Sequence, residues 1–357
     1  MRTLGALVAA IALAAGSLVA QSAKLPSGAM FGADPSYKVP RTADGRPDLQ
    51  GVWSNNSVTP MTRPTQWKDK ALLTDAELEE LKTLIAKSAD DGGDAIFQNQ
   101  VQLALDAKEK GKFEQISYDK TTGNYNQFWM AGREWDNRTS LIIDPPTGQF
   151  PPVTPEAEKR RGGRRAAGLP PSGDGDGVSR PRPAGPEDLP LGERCVSFGA
   201  PRTGAGYNSY LQIVQSPDTV VVLQEMAHDA RVVPIGDRAH LPTTVRQWLG
   251  DSRGRYEGDT FVIETTNYRG GFMGSTPDVR VTERFTRVSA GYINWVITVD
   301  DPKTWTQPWS FMIRLKQSPE QIYEYACHEG NYAMPGILGG ARAEDAKEAA
   351  TVKKSSR

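Results

Sequence analysis

The sequence predicts a mainly β protein: one antiparallel β-barrel of about ten strands, with two helices inserted early. Two observations carry this. Short apolar runs recur through the second half of the chain with few residues between them. Such spacing suits hairpins and leaves no room for the crossover helices of a parallel sheet. Gly and Pro are abundant, 35 and 26 of 357 residues, as a chain of many turns requires. A long meander escapes its exposed edges by closing on itself.

Taken in order, residues 1–20 read as a signal peptide. Arg2 is followed by an apolar stretch, Leu4–Ala15, too short to span a bilayer, with small residues at Ala20 and Ala23 for cleavage. No later apolar run approaches the ~18 residues of a membrane helix, so no stable membrane insertion is expected after cleavage. Residues 21–357 are then a single domain, opening on an extended Pro/Gly/Ser-rich arm to residue 47 and a strand at Leu49–Ser54. Thr74 and Glu77 form the capping-box pattern ahead of Leu78, Leu81, Leu84 and Ile85, which share one helical face. A second helix is expected from Asp94 to about Lys110. The stretch Asn124–Trp135 is dense in aromatics and amides, so Trp129 is a candidate for stacking on a ligand; core packing is the other explanation. Arg138–Asp144 reads as a strand.

Residues 155–190 differ in kind. A basic cluster at Lys159, Arg160, Arg161, Arg164 and Arg165 runs into Gly, Pro, Ser and Asp, which predicts a short helix leading into a mobile loop. The net charge of -1 gives no electrostatic footprint for nucleic acid. Strands follow at Leu211–Gln215, Thr219–Met226, Arg231–Ile235, Thr260–Asn267, Val279–Val288, Tyr292–Asp300, Trp309–Lys316 and Ile322–His328. The tail 341–357 is Ala, Lys and Glu rich and reads as a fraying surface helix.

The chemistry concentrates in Thr219–Tyr268 and Tyr323–Tyr332. His228, His240 and His328 are the three histidines of the chain. Two stand beside an acid, Asp229 and Glu329, where a strand is expected to end. Imidazole titrates near neutrality and a carboxylate can hold its tautomer. His228, His240 and His328 with Glu225, Asp229 and Glu329 are therefore candidates for acid–base catalysis. Arg231 and Arg246 are candidates for holding an anionic group, and Tyr325 and Tyr332 for contacting substrate. Three histidines and a carboxylate also suit a divalent metal, but no short His spacing supports one, so no cofactor is assigned. A purely structural role, each ring bonded to a backbone carbonyl, is the third reading.

A Gly-x-Trp at Gly51–Trp53 resembles the first strand of lipocalin-type barrels. Pro47–Trp53, the run HLPTTVRQWLGDSRGRYEGDT within Arg231–Thr266, and YEYACHEGNYAM at Tyr323–Met334 together resemble a widespread family of exported bacterial proteins without established activity. The resemblance implies export, to the periplasm or beyond, and a lipocalin-like β-rich fold; it implies no mechanism. The residue chemistry points first to an exported lyase or hydrolase acting on a small polar-aromatic or sugar-like substrate. The alternative is a periplasmic small-molecule binder without catalysis. Two cysteines, Cys195 and Cys327, allow one disulfide in an exported chain; two separate buried thiols are the other possibility. Thiol titration of the unfolded, unreduced protein should find no free thiol, and finding two would exclude the bridge.

Overall fold

The computed structural model describes residues 31–90, 100–112, 132–166, 183–204 and 206–355. The expected signal peptide, Trp129 and the segment 167–182 of the expected mobile loop lie outside the described residues. In chain order the elements are β1 (Gly51–Ser54), α1 (Asp75–Asp90), α2 (Gln100–Lys110), β2 (Ile142–Asp144), α3 (Pro155–Ala166), β3 (Tyr210–Gln215), β4 (Thr219–Gln224), β5 (Ala230–Pro234), β6 (Asp251–Glu257), β7 (Thr260–Thr266), β8 (Arg280–Ser289), β9 (Tyr292–Asp300), β10 (Trp309–Ser318) and α4 (Ala333–Ser355). The tail expected to fray thus belongs to a helix that runs on to Ser355.

The ten strands form one antiparallel sheet in the order β5-β4-β3-β1-β10-β9-β8-β7-β6. β2 and β1 lie along the same edge of β10, one on its first residues and one on its last. The sheet is mainly β as expected, but it is not closed. The end strands β5 and β6 meet at one isolated bridge, Ile235 with Gly254, where the Gly236 N–H donates to the Gly254 carbonyl at 3.1 Å. A single bridge is not a ladder.

Two differences from the sequence reading concern strands. β6, DSRGRYE, carries no apolar alternation and is not predicted, yet it pairs with β7 over its full length. Its Ser252 hydroxyl lies 2.9 Å from that of Thr265. A Cβ at Gly254 would stand 2.9 Å from the Phe261 ring and 3.0 Å from Val233, so only glycine lets β6 pass this close to both neighbours. Conversely, residues 321–327 form no ladder. The amides of Tyr323 and Tyr325 are taken by side chains of other elements, described below.

The core is built from rows across the strands. Phe261, Phe285, Trp295 and Ile313 stand opposite one another on β7, β8, β9 and β10 and are buried to 1% exposure or less. Phe285 stacks on Trp295 at 5.4 Å. Burying each such side chain is worth roughly 1.5–3 kcal/mol. Trp53 of β1 is buried too, its Nε1–H donating to the Leu49 carbonyl at 2.9 Å, with the Arg287 guanidinium 5.3 Å over its ring. A smaller cluster, Val58, Leu73, Leu81, Ile85, Val101 and Ala104, holds α1 and α2. The capping box at the start of α1 forms as expected, Thr74 N–H to Glu77 and Glu77 N–H to Thr74 Oγ.

One row contains a charge. Ile263, Glu283, Ile297 and Phe311 are opposite one another on the buried face. Glu283 takes a bidentate pair of hydrogen bonds, 2.5 and 2.9 Å, from Arg231 on β5. Trp295 Nε1–H donates to the same carboxylate at 3.1 Å. Arg231, expected at a ligand, is therefore inside the sheet at 3% exposure. Burial pulls its pKa down, but Glu283 more than offsets this and holds it above its usual range. Glu283→Ala strands a buried guanidinium and should cost about 3–5 kcal/mol. The double variant Arg231→Met/Glu283→Leu should recover most of that. Urea unfolding checks both; a single variant within about 1 kcal/mol of the native protein would show that the pair contributes little, since breaking such a pair is costly.

Candidate functional site

The end of β4 organises the surroundings of the site. After Gln224 the chain passes Glu225 and turns through Met226–His228, with Ala227 and His228 both in the left-handed region, φ 60° and 54°. Non-glycine residues seldom occupy that region, and the turn splits the neighbouring side chains into two sets. Gln224 and Asp229 face the segment 195–203. Gln224 Nε2 donates to the Gly199 carbonyl at 3.0 Å, and its Oε1 accepts from the Arg202 N–H at 2.6 Å. Asp229 Oδ2 accepts from the Ser197 hydroxyl at 2.9 Å and the Phe198 N–H at 3.1 Å. Glu225 and His228 face the segment 321–327. Glu225 Oε1 accepts from the Tyr323 N–H and His228 Nε2 from the Tyr325 N–H, both at 3.0 Å. An Nε2 that accepts carries no proton, so the neutral His228 ring is protonated at Nδ1.

These two segments are joined by a disulfide between Cys195 and Cys327, Cα–Cα 5.5 Å. Tyr325 packs edge-on to Phe198 at 5.8 Å. Burial raises the pKa of both Glu225 and Asp229, and the amide and hydroxyl donors pull each back only in part.

The segment held by Gln224 and Asp229 is one wall of a pocket. Leu191 and Ser197–Thr203 line that side; Trp248, Tyr268 and Gly271–Met273 line the other. The enclosed volume is about 40 Å³, room for about three water-sized groups. Gly271 is required by its φ of +86° and by the Ser275 carbonyl, which would stand 2.2 Å from a Cβ. Arg246 supports this wall from behind through the carbonyls of Tyr268 and Pro277 and an ion pair with Asp278. Trp248, 40% exposed, carries the Arg269 guanidinium 4.8 Å over its ring. Burial first, then the nearby Glu283, raises the pKa of the Tyr268 phenol.

His240 belongs to a different set. Its Nδ1 lies 2.8 Å from Asp251 Oδ2 and its Nε2 3.3 Å from Glu264 Oε1, with the residue's side chain 24% exposed. Arg253 and Arg280 pair with the same two acids. Burial pushes the Asp251 carboxyl up, but the Leu241 N–H, His240 and Arg253 together hold it below the usual carboxylate range. His228 and His240 thus share no partner in these hydrogen bonds. His328, Glu329 and Tyr332 are exposed, Tyr332 at 82%. None of the three histidines lines the pocket. Among the described residues no group of three or more His, Cys, Asp or Glu side chains is placed to hold a metal ion, and no helix is long and apolar enough to cross a membrane.

Phe198, Arg202, Tyr268 and Phe272 escape the sequence reading. The segment FGAPRTG shows neither periodicity nor a chemical motif, and its one sequence signal is its place just after Cys195. Trp248 and Tyr268 do fall in the stretch on which that reading centres, but its attention goes to the histidines.

No protein-family model and no characterised protein matches the sequence, so the resemblance to an exported family rests on its motifs alone. Among solved structures, matches are to the fluorescent protein UnaG. One single-residue variant is 16% identical, over 31% of this chain and 72% of that one, with a TM-score of 0.20. A second is 16% identical over 36% and 88%, at 0.21; the wild type is 15% identical over 30% and 72%, at 0.19. Likeness at that level assigns neither fold nor ligand to this chain.

The raised pKa of Glu225 makes a signed prediction. A carboxyl raised in the folded state adds stability that is complete below its unfolded pKa, about 4, and is lost as pH rises through its folded value. At neutral pH the charge is therefore a cost. Glu225→Gln keeps an oxygen for the Tyr323 N–H and removes the charge, so at pH 7 it should unfold at equal or higher urea than the native protein. Glu225→Ala should unfold at lower urea. A glutamine variant clearly weaker than the native protein at pH 7 would refute the argument.

Proposed function

We propose that this chain is an exported small-molecule binding protein. A ligand's head group enters the pocket between Ser197–Thr203 and Tyr268–Met273, which is lined by residues between the strands. The observation that carries this reading is the lining. Four aromatic residues, Phe198, Trp248, Tyr268 and Phe272, are among those that line a small pocket, and hydrogen bonds and an ion pair hold both walls. Concavities that combine aromatic contact with a few placed polar groups are a usual form of small-molecule site. The acid–base enzyme expected from the sequence needs a histidine at the cavity. The supports for binding are that His228 is engaged by the Tyr325 amide and that none of the three histidines lines the pocket. Export is supported by the N-terminal sequence and by the disulfide, a bond typical of oxidising compartments.

The test uses ligand-observed NMR with two probes, indole and benzoate. At least one should bind the native protein, and Trp248→Ala should weaken it by about tenfold or more, as losing an aromatic contact worth about 1.4 kcal/mol would. Trp248 is exposed enough for the variant to fold. No binding by either probe, or equal binding by the variant, would overturn the pocket as the site.

A further inference from the structure

The loop between β5 and β6 crosses the seam of the open sheet, since those strands are its two ends. The far end of the loop is held by the backbone of Gln247, bonded to Asn267 and Arg269. Its near part is seated by three consecutive residues. The Ala239 carbonyl accepts from Arg253 Nε and Nη2, both at 3.1 Å. The Leu241 N–H donates to Asp251 Oδ2 at 2.9 Å, and the Leu241 carbonyl accepts from Asn267 Nδ2 at 2.8 Å. Between them His240 has a carboxylate oxygen at each ring nitrogen. Asp251 Oδ2 on β6 stands 2.8 Å from Nδ1, and Glu264 Oε1 on β7 stands 3.3 Å from Nε2. The charged groups facing this ring are those two acids, Arg253 paired with Asp251, and Arg280 of β8 paired with Glu264. On the loop itself Asp237 and Arg238 are exposed, as are residues 241–245. A segment with so little burial opens locally unless its few ties hold.

We propose that His240 is a pH-sensitive clasp on this loop, closed while its ring carries both protons and loosened when it loses one. An ionised carboxylate only accepts, so both contacts are hydrogen bonds only when both ring nitrogens carry protons. Histidine is also the side chain whose charge changes near neutral pH. When one proton leaves, the shorter contact, to Asp251, keeps the other. Nε2 then turns a lone pair towards Glu264 Oε1, an oxygen that Arg280 already holds at 2.8 Å. Two acceptors face each other, and the contact becomes repulsive. The His240 side chain is 24% exposed, so the proton can leave without unfolding the sheet. A ring bound twice when charged and once when neutral adds stability that is lost as pH rises. Asp251 sets the opposite limit. Burial raises that carboxyl, but the Leu241 N–H, His240 and Arg253 hold it below the usual carboxylate range. The acceptor therefore stays charged until pH falls through that lowered value.

NMR of the full chain tests this. Ring spectra should show His240 protonated on both nitrogens at about pH 5.5 and on one at about pH 8.5, either side of the usual imidazole range. Over that interval the Leu241 and Val245 amides should lose protection, measured against unfolded-chain exchange rates at each pH. The loss should be about fivefold or more, as for one ordinary hydrogen bond, while the amides of β9 keep theirs. His240→Gln should abolish this pH dependence. Glu264→Gln should abolish it by keeping the loop closed, because an amide can donate to the neutral Nε2. A histidine with a purely structural role would make His240→Gln less protected than the native chain by the same factor at both pH values. That result overturns the proposal, and so does a native loop whose protection does not change, or a ring that keeps one protonation state throughout. If His240→Gln fails to fold, Glu264→Gln decides alone: loosening at the higher pH as in the native chain overturns the proposal.

Discussion

The ion pair between Arg231 and Glu283 is the constraint on which the rest of the architecture hangs. It joins β5 to β8 across the buried face, although β5 and β6, at opposite ends of the strand order, share only one bridge. Backbone pairing alone would leave those ends free to part. Two charges at 2% and 0% side-chain exposure cannot exchange partners with water, so they fix one spacing between the ends. Such a pair is weak as a source of net stability, because desolvation consumes most of the attraction. Its value is in penalising every arrangement that separates the charges. Trp295 strengthens that penalty by filling a further lone pair of the carboxylate.

What depends on it is the position of β4. β4 lies beside β5, and the residues just after β4 hold both the pocket wall and the segment 321–327. Four side chains around that turn are thereby divided: Gln224 and Asp229 hold one segment, Glu225 and His228 the other. The disulfide joins those segments to each other. It closes a chain separation of 132 residues, and bridges across loops that long restrict the unfolded chain most in entropy models. Three ties of different chemistry thus converge on one small region, and each excludes a different loose state.

How far the sequence reveals this follows from the range of each cause. β7, β8, β9 and β10 are legible because alternation and β-branched content are local. The capping box of α1 is legible for the same reason, since Thr74 and Glu77 are three residues apart. β6 is not, because its fit depends on the absence of a side chain at Gly254 against Phe261 and Val233. The segment 321–327 imitates a strand, since Tyr323, Tyr325 and Cys327 alternate with Glu324 and Ala326. Its amide partners are Glu225 and His228, about a hundred positions earlier, and nothing local announces them. Two of the histidines are committed to partners, His228 to the Tyr325 amide and His240 to two carboxylates. The nature of the commitment is invisible, because a histidine that accepts an amide hydrogen bond and one poised for proton transfer have the same sequence neighbours. Arg231 shows the same limit: its partner is 52 residues away.

The pocket inherits its character from these fixed surroundings. One wall is tied by Gln224, Asp229 and the disulfide, the other by Gly271 and the Arg246–Asp278 pair. A ligand entering there orders little that is not already ordered, so the usual entropic cost of closing loops on a ligand is largely avoided. Selectivity must then come from the groups that line a small fixed space rather than from an induced rearrangement. In such a space a ligand group that leaves a polar atom without a partner outweighs small adjustments of the walls. A missing or extra methylene against those walls changes binding by only about 1–3 kcal/mol. A polar atom left unpaired there costs more the less water reaches it.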